Sequence, residues 1–518
     1  MDVRGIQMSL AKKAAKSAVI IMLITIISKV FGFLREVIIA AYYGAGIDTD
    51  AYFMAQGIPS VLFASIGVSL TTTFIPIYTE YLVLKGEEEA NKFSTNIVNI
   101  VILVSLLFSI LGIFFTPYIV KILAPGFKGE LLVLTIKLTK IMFPMLLFVT
   151  LANIFTGILQ TRHQFVIPSL VGIPFSIIII IGSLLLSVRY GIYALTWATV
   201  LAYVSQVLIQ LPALKNKYKY ACILNFKDKG VQKLYILMLP VLIGTAVQQI
   251  NTLIDKIFAS RLDVGSVSAI NYAGRLIGFV YGIFITSIAV VIYPLFSELS
   301  AKDNYSELRK LIARSVVLIM LIVLPITAGT VLLREDIVKL VFERGAFDTQ
   351  ATHLTSYALA FYILALAPFG TREILNRAFY SLKDTKTPMI NGTIAVVINI
   401  MLNIILVNFL GIGGLGLATA TSALVGTTML LYSLKKKLGL IKIKSMFFEL
   451  VKILAASLLM VFVVFLLNNM ISLPNIYFRL CINILVGMVS YAVFIYFFRV
   501  EELKWLLQLA KQYINKLD

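Results

Sequence analysis

Charge is scarce in this chain. Only 14% of its 518 residues are Asp, Glu, Lys or Arg, where an ordinary soluble domain has about 25%. Cysteine and histidine are scarcer still, with two of each. Cys222 and Cys481 lie far apart and form no motif, which excludes a disulfide framework. His163 and His353 lack the spacing of a metal site. The few acids make no cluster of the kind that hydrolytic chemistry needs. What is abundant is apolar: 60% of the residues are hydrophobic. The chain is therefore an all-α polytopic membrane protein. Its 45 basic against 25 acidic residues give a net charge of +20, which in a soluble chain would suggest nucleic acid. Here the Lys and Arg sit mostly in short loops between apolar runs, so membrane topology accounts for them and no nucleic-acid partner is expected.

A helix needs about 20 apolar residues to cross the hydrocarbon core. Fourteen stretches qualify, at about 15–42, 52–80, 93–120, 131–160, 166–188, 191–213, 232–260, 266–299, 311–333, 353–381, 387–410, 413–434, 446–467 and 474–498. The first follows a basic stretch (Arg4, Lys12, Lys13, Lys16) and carries no clear small-residue cleavage site, so it reads as a retained helix. One set of alternate loops is rich in Lys, as in 215–233 and 435–444, and the other is poor, as in Gly411–Gly414. That asymmetry puts both termini in the cytoplasm, which requires an even number of spans. The tail Glu501–Asp518 spaces Leu503, Leu506, Leu507, Ala510 and Ile514 helically beside Lys504, Lys511 and Lys516, the pattern of an amphipathic helix on the cytoplasmic surface.

The second half repeats the first. Phe74-Ile75-Pro76-Ile77-Tyr78-Thr79-Glu80 aligns with Ile292-Tyr293-Pro294-Leu295-Phe296-Ser297-Glu298 at an offset of 218, and Lys121 with Lys339 at the same offset. Gly191 against Gly411 and Pro168 against Pro388 give 220. A duplicated membrane unit implies two lobes around a pathway, the plan of many transporters. Helices 1 to 6 form an N-lobe over 1–230 and helices 7 to 12 a C-lobe over 231–440, as two parallel pseudo-symmetric copies. Helices 13 and 14, over 441–500, stand outside the repeat, and 501–518 is the tail.

Ionisable residues inside spans are costly and mark functional sites. Helix 1 carries Lys29, Arg35 and Glu36, helix 7 carries Asp255 and Lys256, and helix 8 carries Arg275 after Ser268, Asn271 and Tyr272. Pairing within the protein is the simpler reading: Arg35 with Glu36 or Asp50, Lys256 with Asp255. The sharper reading is a cationic cavity for an anionic substrate. Arg suits phosphate or pyrophosphate, because its planar fork donates bidentately and stays charged when desolvated. In helix 10, Arg372, Glu373 and Arg377 include an i, i+4 pair that favours local pairing. In helix 11, Asn399 and Asn403 share a face, and interhelical hydrogen bonding is the simpler account. The alternative is an oxygen-rich cation site with Asp255 and Thr419, suited to a coupling ion such as Na⁺. No other cofactor is expected.

Several stretches resemble the MurJ/MviN family. They are Ser28-Lys29-Val30-Phe31-Gly32-Phe33-Leu34-Arg35-Glu36, Gly44-Ala45-Gly46, Asp50-Ala51-Tyr52-Phe53, Ala124-Pro125-Gly126-Phe127, Phe342-Glu343-Arg344-Gly345-Ala346-Phe347-Asp348 and Arg377-Ala378-Phe379-Tyr380-Ser381-Leu382-Lys383-Asp384-Thr385-Lys386-Thr387-Pro388. The resemblance implies a lipid II flippase of the multidrug/oligosaccharidyl-lipid/polysaccharide exporter superfamily, in a bacterial cytoplasmic membrane. It implies fourteen helices, alternating access around a cationic cavity, and a groove between helices 13 and 14 for the polyprenyl tail. Lipid II, membrane lipids and other cell-wall synthesis proteins are the partners it suggests. Carried over by motif, Arg35 and Arg275 match cavity arginines, Lys29 stands where relatives often have Arg, Glu36 adjoins the site, and Asp50 and Ser268 match positions near the cavity mouth. Three departures matter. The stretch Pro59–Phe74 has no basic residue where some relatives carry another cavity arginine, Gly278 stands where some relatives have an acid, and Asn403 replaces what can be an Asp.

Three other functions compete with lipid II transport. Flipping of another undecaprenyl-pyrophosphate glycan would use the same cations. A cation-coupled drug exporter calls for twelve helices and an acidic cavity, against the fourteen helices and intramembrane arginines here. A lipid-linked sugar enzyme lacks any constellation to support it, so no catalytic residue is assigned.

Overall fold

The computed structural model describes residues 3–215, 218–439, 443–470 and 475–502. Every regular element among them is helical. The helices are α1 (Val3–Tyr43), α2 (Ile47–Leu84), α3 (Gly86–Leu123), α4 (Gly129–Thr161), α5 (Val166–Tyr190), α6 (Ile192–Leu214), α7 (Lys229–Ala259), α8 (Ser266–Ala301), α9 (Tyr305–Phe342), α10 (Thr349–Ser381), α11 (Lys386–Leu410), α12 (Ile412–Leu438), α13 (Ile443–Met470) and α14 (Ile476–Phe497). Among the described residues thirteen helices, α2 to α14, are long and apolar enough to cross a membrane. The expected first span falls on α1, whose side chains are described from Ile20 onward. The tail residues from Leu503 onward, and the side chains of Arg4, Lys12, Lys13 and Lys16, lie outside the described residues.

The repeat is visible in the backbone. After α4, His163 has φ 58° and Gln164 N–H donates to Leu159 C=O at 2.8 Å. After α10, Lys383 has φ 58° and Asp384 N–H donates to Phe379 C=O at 2.9 Å. Both ends are the same left-handed cap, which satisfies a carbonyl that the helix itself leaves open. Gly191 at φ 52° and Gly411 at φ 53° then make matching turns into α6 and α12; glycine takes this conformation without a Cβ penalty.

The helices gather into two compact units, one of residues 1–268 with 344–348, the other of 269–343 with 349–518. In the first, α2 packs against α3, α4 and α7, while α5 joins α1 to α6. Its core holds a stack of aromatic rings, with Phe74 to Tyr78 at 5.2 Å, Phe74 to Phe93 at 5.8 Å and Tyr81 to Phe93 at 4.6 Å. Helix α7, which the repeat assigns to the opening of the second lobe, lies along α2 and belongs to this unit. Asp228 caps it, accepting from Gly230 N–H at 2.8 Å and Val231 N–H at 3.1 Å.

In the second unit α12 packs on α10 and α11, and α9 packs on α10 and α13. Gly413 and Gly416 lie against Phe361, where a Cβ would come within 2.8 and 2.7 Å of that residue. Small residues let helices approach closely where lipid supplies no hydrophobic drive between them. The unrepeated pair α13 and α14 is tied to itself by Asn483 donating to Asn468 at 2.7 Å. It is tied to α9 by Tyr491 donating to Leu321 C=O at 2.6 Å and by an Arg479–Asp336 ion pair.

Candidate functional site

Arg35 sits four-fifths of the way along α1, in a largely apolar stretch. Its Nη2 donates to Glu36 Oε1 at 2.6 Å, and its guanidinium lies over the Phe175 ring at 5.3 Å. Phe175 is braced edge-on by Tyr203 at 4.9 Å. Of the two acids that the sequence offers Arg35, Glu36 takes it. The pairing orients the guanidinium and offsets its charge, yet uses only part of its five-donor fork. The side chain keeps 15% of its exposure, so donors remain for a further acceptor. Lys29, two turns earlier, is exposed.

Asp50 is 1% exposed and accepts three hydrogen bonds. Gly265 N–H donates at 2.7 Å, Ser268 N–H at 2.7 Å and Ser268 Oγ at 2.6 Å. The two N–H donors lie at the start of α8, where a helix leaves N–H groups open and favours negative charge. Asp50 and Ser268, singled out separately in the sequence, thus form one cap.

On α7, Lys256 Nζ donates to Phe53 C=O of α2 at 3.0 Å, over Gly57, where a Cβ would come within 2.9 Å of the ammonium. Gly57 makes the groove that lets a lysine lie along the neighbouring helix. Asp255 beside it is buried.

Two loops from opposite repeats complete the first unit. Gly126 N–H donates to Ser260 Oγ at 3.4 Å at the end of α7, and Ala346 N–H donates to Ala41 C=O at 2.7 Å near the end of α1. Gly126, Gly44 and Gly345 each face backbone so closely that a Cβ would collide.

The second unit holds the remaining candidates. Arg275 is exposed on α8, six residues before a π-helical turn at Tyr281–Ile285; such bulges recur at functional sites. Asn399 Nδ2 donates to Thr419 Oγ1 at 3.2 Å, and Asn403 Nδ2 donates to Asn399 Oδ1 at 3.1 Å. Asn399 thus bonds across from α11 to α12, while Asn403 bonds to it within α11. Asp255 belongs to the first unit and these three to the second. The local pair on α10 forms as well, with Arg377 Nε to Glu373 Oε1 at 2.9 Å. Glu373 Oε2 also accepts from Tyr281 at 3.2 Å, and Arg377 lies over Tyr293 at 5.4 Å. Among the described residues no three His, Cys, Asp or Glu side chains gather as a metal site would require.

Sequence reasoning missed Phe175, Gly57 and Tyr281. Glycine in the middle of a long apolar helix was the available signal for Gly57, since it costs helix stability unless something packs there.

The model of the family described as lipid II flippase MurJ matches residues 39–486. This chain belongs to that family. A probable lipid II flippase MurJ of Buchnera aphidicola subsp. Baizongia pistaciae is 33% identical over 467 residues, 89% of this chain and 91% of the relative. One from Vibrio cholerae serotype O1 is 31% identical over 442 residues, 82% of this chain and 83% of the relative. A solved lipid II flippase MurJ in an inward closed conformation superposes with a TM-score of 0.81 at 30% identity, covering 93% of this chain and 99% of that one. An inward-facing multidrug resistance transporter of the MATE family matches at a TM-score of 0.65 and 14% identity, with coverage of 82% and 99%. That likeness is one of fold alone. The MurJ fold places this chain among multi-pass membrane proteins of a bacterial transporter family.

Proposed function

We propose that this chain is a flippase that carries lipid II from the inner to the outer leaflet of the bacterial cytoplasmic membrane for cell-wall synthesis. The observation that carries the reading is Arg35. It is a guanidinium inside a membrane helix, oriented by Glu36 and Phe175, with donors left for a pyrophosphate. Arg275 and Lys29 supply further cations to the same headgroup, and Asp50 with Ser268 supports the site. A carrier of this kind makes and breaks no covalent bond. It needs a polar path for the headgroup while the tail stays in lipid.

In this reading α1 is the fourteenth span, both termini are cytoplasmic, and the lobes 1–230 and 231–440 rock to alternate access. Helices α13 and α14, within 441–500, hold the polyprenyl tail. With the cell interior negative, the membrane potential favours outward movement of an anion. Na⁺ coupling would use Asp255 as the carboxylate, with Asn399, Asn403 and Thr419 as neutral oxygen donors. Asp255→Asn should then abolish any Na⁺ dependence of transport, and an unchanged Na⁺ response would rule that site out.

The decisive experiment is complementation of a MurJ-depleted strain, joined to an assay of lipid II on the outer leaflet. The wild-type chain restores both growth and exposure. Arg35→Ala and Arg275→Ala restore neither while reaching the membrane in normal amounts. Full growth with either variant sinks the cationic-site reading.

A further inference from the structure

The second unit contains an arginine that the pairing just described leaves out. Arg372 lies nine residues before the end of α10 at Ser381, about 13 Å along the helix at 1.5 Å per residue. It stands within a helix long and apolar enough to cross a membrane, where an unpaired charge is costly. Among the described residues its guanidinium has no hydrogen-bond or ion-pair partner.

The nearest acid is already committed. Glu373 gives one oxygen to Arg377, at 2.9 Å from Nε and 2.8 Å from Nη2, and the other to the Tyr281 hydroxyl at 3.2 Å. Two cations therefore share one anion, and Arg372 carries the excess.

Two further features aim this excess at a ligand. The guanidinium of Arg372 reaches α11 at Gly392, where a Cβ would stand 2.8 Å from Nη2; the missing side chain leaves room for the fork. Asn376 follows one turn later on the same face of α10, and among the described residues its buried Oδ1 has no hydrogen-bond partner. Amide oxygen and nitrogen are interchangeable by rotation, so Asn376 can turn an N–H toward whatever Arg372 holds. A guanidinium and an amide one turn apart form a donor pair suited to the oxygens of a phosphate or carboxylate.

We propose that Arg372 and Asn376 form a second anion-binding site, which takes a phosphate or carboxylate group of the lipid-linked substrate headgroup. It is distinct from the sites of Arg35 and Arg275 and rests on the flippase reading above. The phosphate of a bilayer phospholipid offers the same chemistry, so the test must separate the two sources.

The full-length protein is placed in nanodiscs of zwitterionic lipid, and its affinity for lipid II is measured. Retention of phosphatidylglycerol through purification is followed in parallel. Arg372→Gln should weaken lipid II binding about tenfold or more, from the loss of a charged hydrogen-bonding pair, with phosphatidylglycerol retention unchanged. Arg372→Lys should recover part of that loss, since it restores the charge without the fork. An unaltered lipid II affinity in Arg372→Gln overturns the proposal, as does a loss of retained phosphatidylglycerol without a loss of lipid II binding. If Arg372→Gln does not yield folded protein, Asn376→Ala carries the test, and wild-type affinity there overturns it equally. Failure of the wild-type protein to bind lipid II would overturn the flippase reading itself and this inference with it.

Discussion

Ser268 gives Asp50 two of the three hydrogen bonds that its carboxylate accepts, and the two residues are 218 apart in the chain. The same offset aligns Pro76 with Pro294. The two copies of the repeat thus touch at equivalent positions, one accepting and one donating. A duplicated scaffold has diverged there into complementary chemistry.

Removing the acceptor should cost more than removing one donor. Asp50→Ala strands the N–H groups of Gly265 and Ser268 and the Ser268 hydroxyl in a buried setting, at about 2–4 kcal/mol. Ser268→Ala removes one hydroxyl and keeps both backbone bonds, at about 1 kcal/mol. Thermal unfolding of the purified protein in detergent reads the difference. Equal losses in the two variants would contradict a cap built on the carboxylate.

Arg35 is held by a neighbour in sequence, and this sets its net charge. Glu36→Gln keeps an acceptor oxygen for the guanidinium but removes the offsetting charge. Lipid II should then bind more tightly and leave more slowly, so affinity rises while turnover falls. Phe175→Leu removes the face beneath the guanidinium, a contact worth about 0.5–2 kcal/mol, and should lower affinity severalfold. Binding and flipping rates measured on the same preparations check both. A Glu36→Gln variant with weaker binding would refute the charge argument.

Much of the fold was legible because bilayer thickness dictates helix length, and helix ends need Gly, Pro or charge. The expected spans at 166–188, 387–410 and 446–467 sit within α5, α11 and α13 with ends displaced by a few residues. Helix α9 covers 38 residues, but its backbone leaves helical geometry at Leu333 (φ −97°, ψ 15°), where the expected span of about 311–333 ends. The charged Arg334, Glu335 and Asp336 follow that break directly; a second helical stretch carries them onward to Phe342, and Asp336 pairs with Arg479 of α14. The site was legible only as residue types. Side chains at i and i+1 on a helix do not usually face one another, so the sequence offers Glu36 and Asp50 alike as partners of Arg35, and the choice of Glu36 is made by the packing of α1. The Asp50–Ser268 contact has no local signal at all, because it depends on how the two copies meet.

The glycines at the loop contacts give a steric prediction. A Cβ on Gly126 would run into the backbone of Ser260 and Arg261, which no side-chain rotation can relieve. Gly126→Ala should therefore destabilise the protein by about 1–3 kcal/mol and loosen the loop from the end of α7. Hydrogen exchange at Ser260 and Arg261 would report that loosening. Protection as strong as in the wild type would show that the loop tolerates the methyl group.

Asp384, in the turn between α10 and α11, gives a pH dependence of definite sign. Burial works to raise its pKa, but Lys437 Nζ at 2.6 Å and the N–H and hydroxyl of Thr387 at 3.0 and 2.9 Å outweigh it and hold the carboxyl at about 2. The folded state thus binds this proton less readily than the unfolded chain, whose aspartates titrate near 3.9. The stabilisation is present in full above that value and disappears as pH falls toward 2. Lys437 is 40% exposed, so solvent screening limits the contribution to about 1 kcal/mol. Asp384→Asn should lose about that much at neutral pH. It should also flatten the part of the stability curve between roughly pH 4 and 2 that this group supplies. Unfolding of the two proteins across that window decides the matter. Parallel curves for wild type and variant would mean that Asp384 is not held ionised by Lys437 and Thr387.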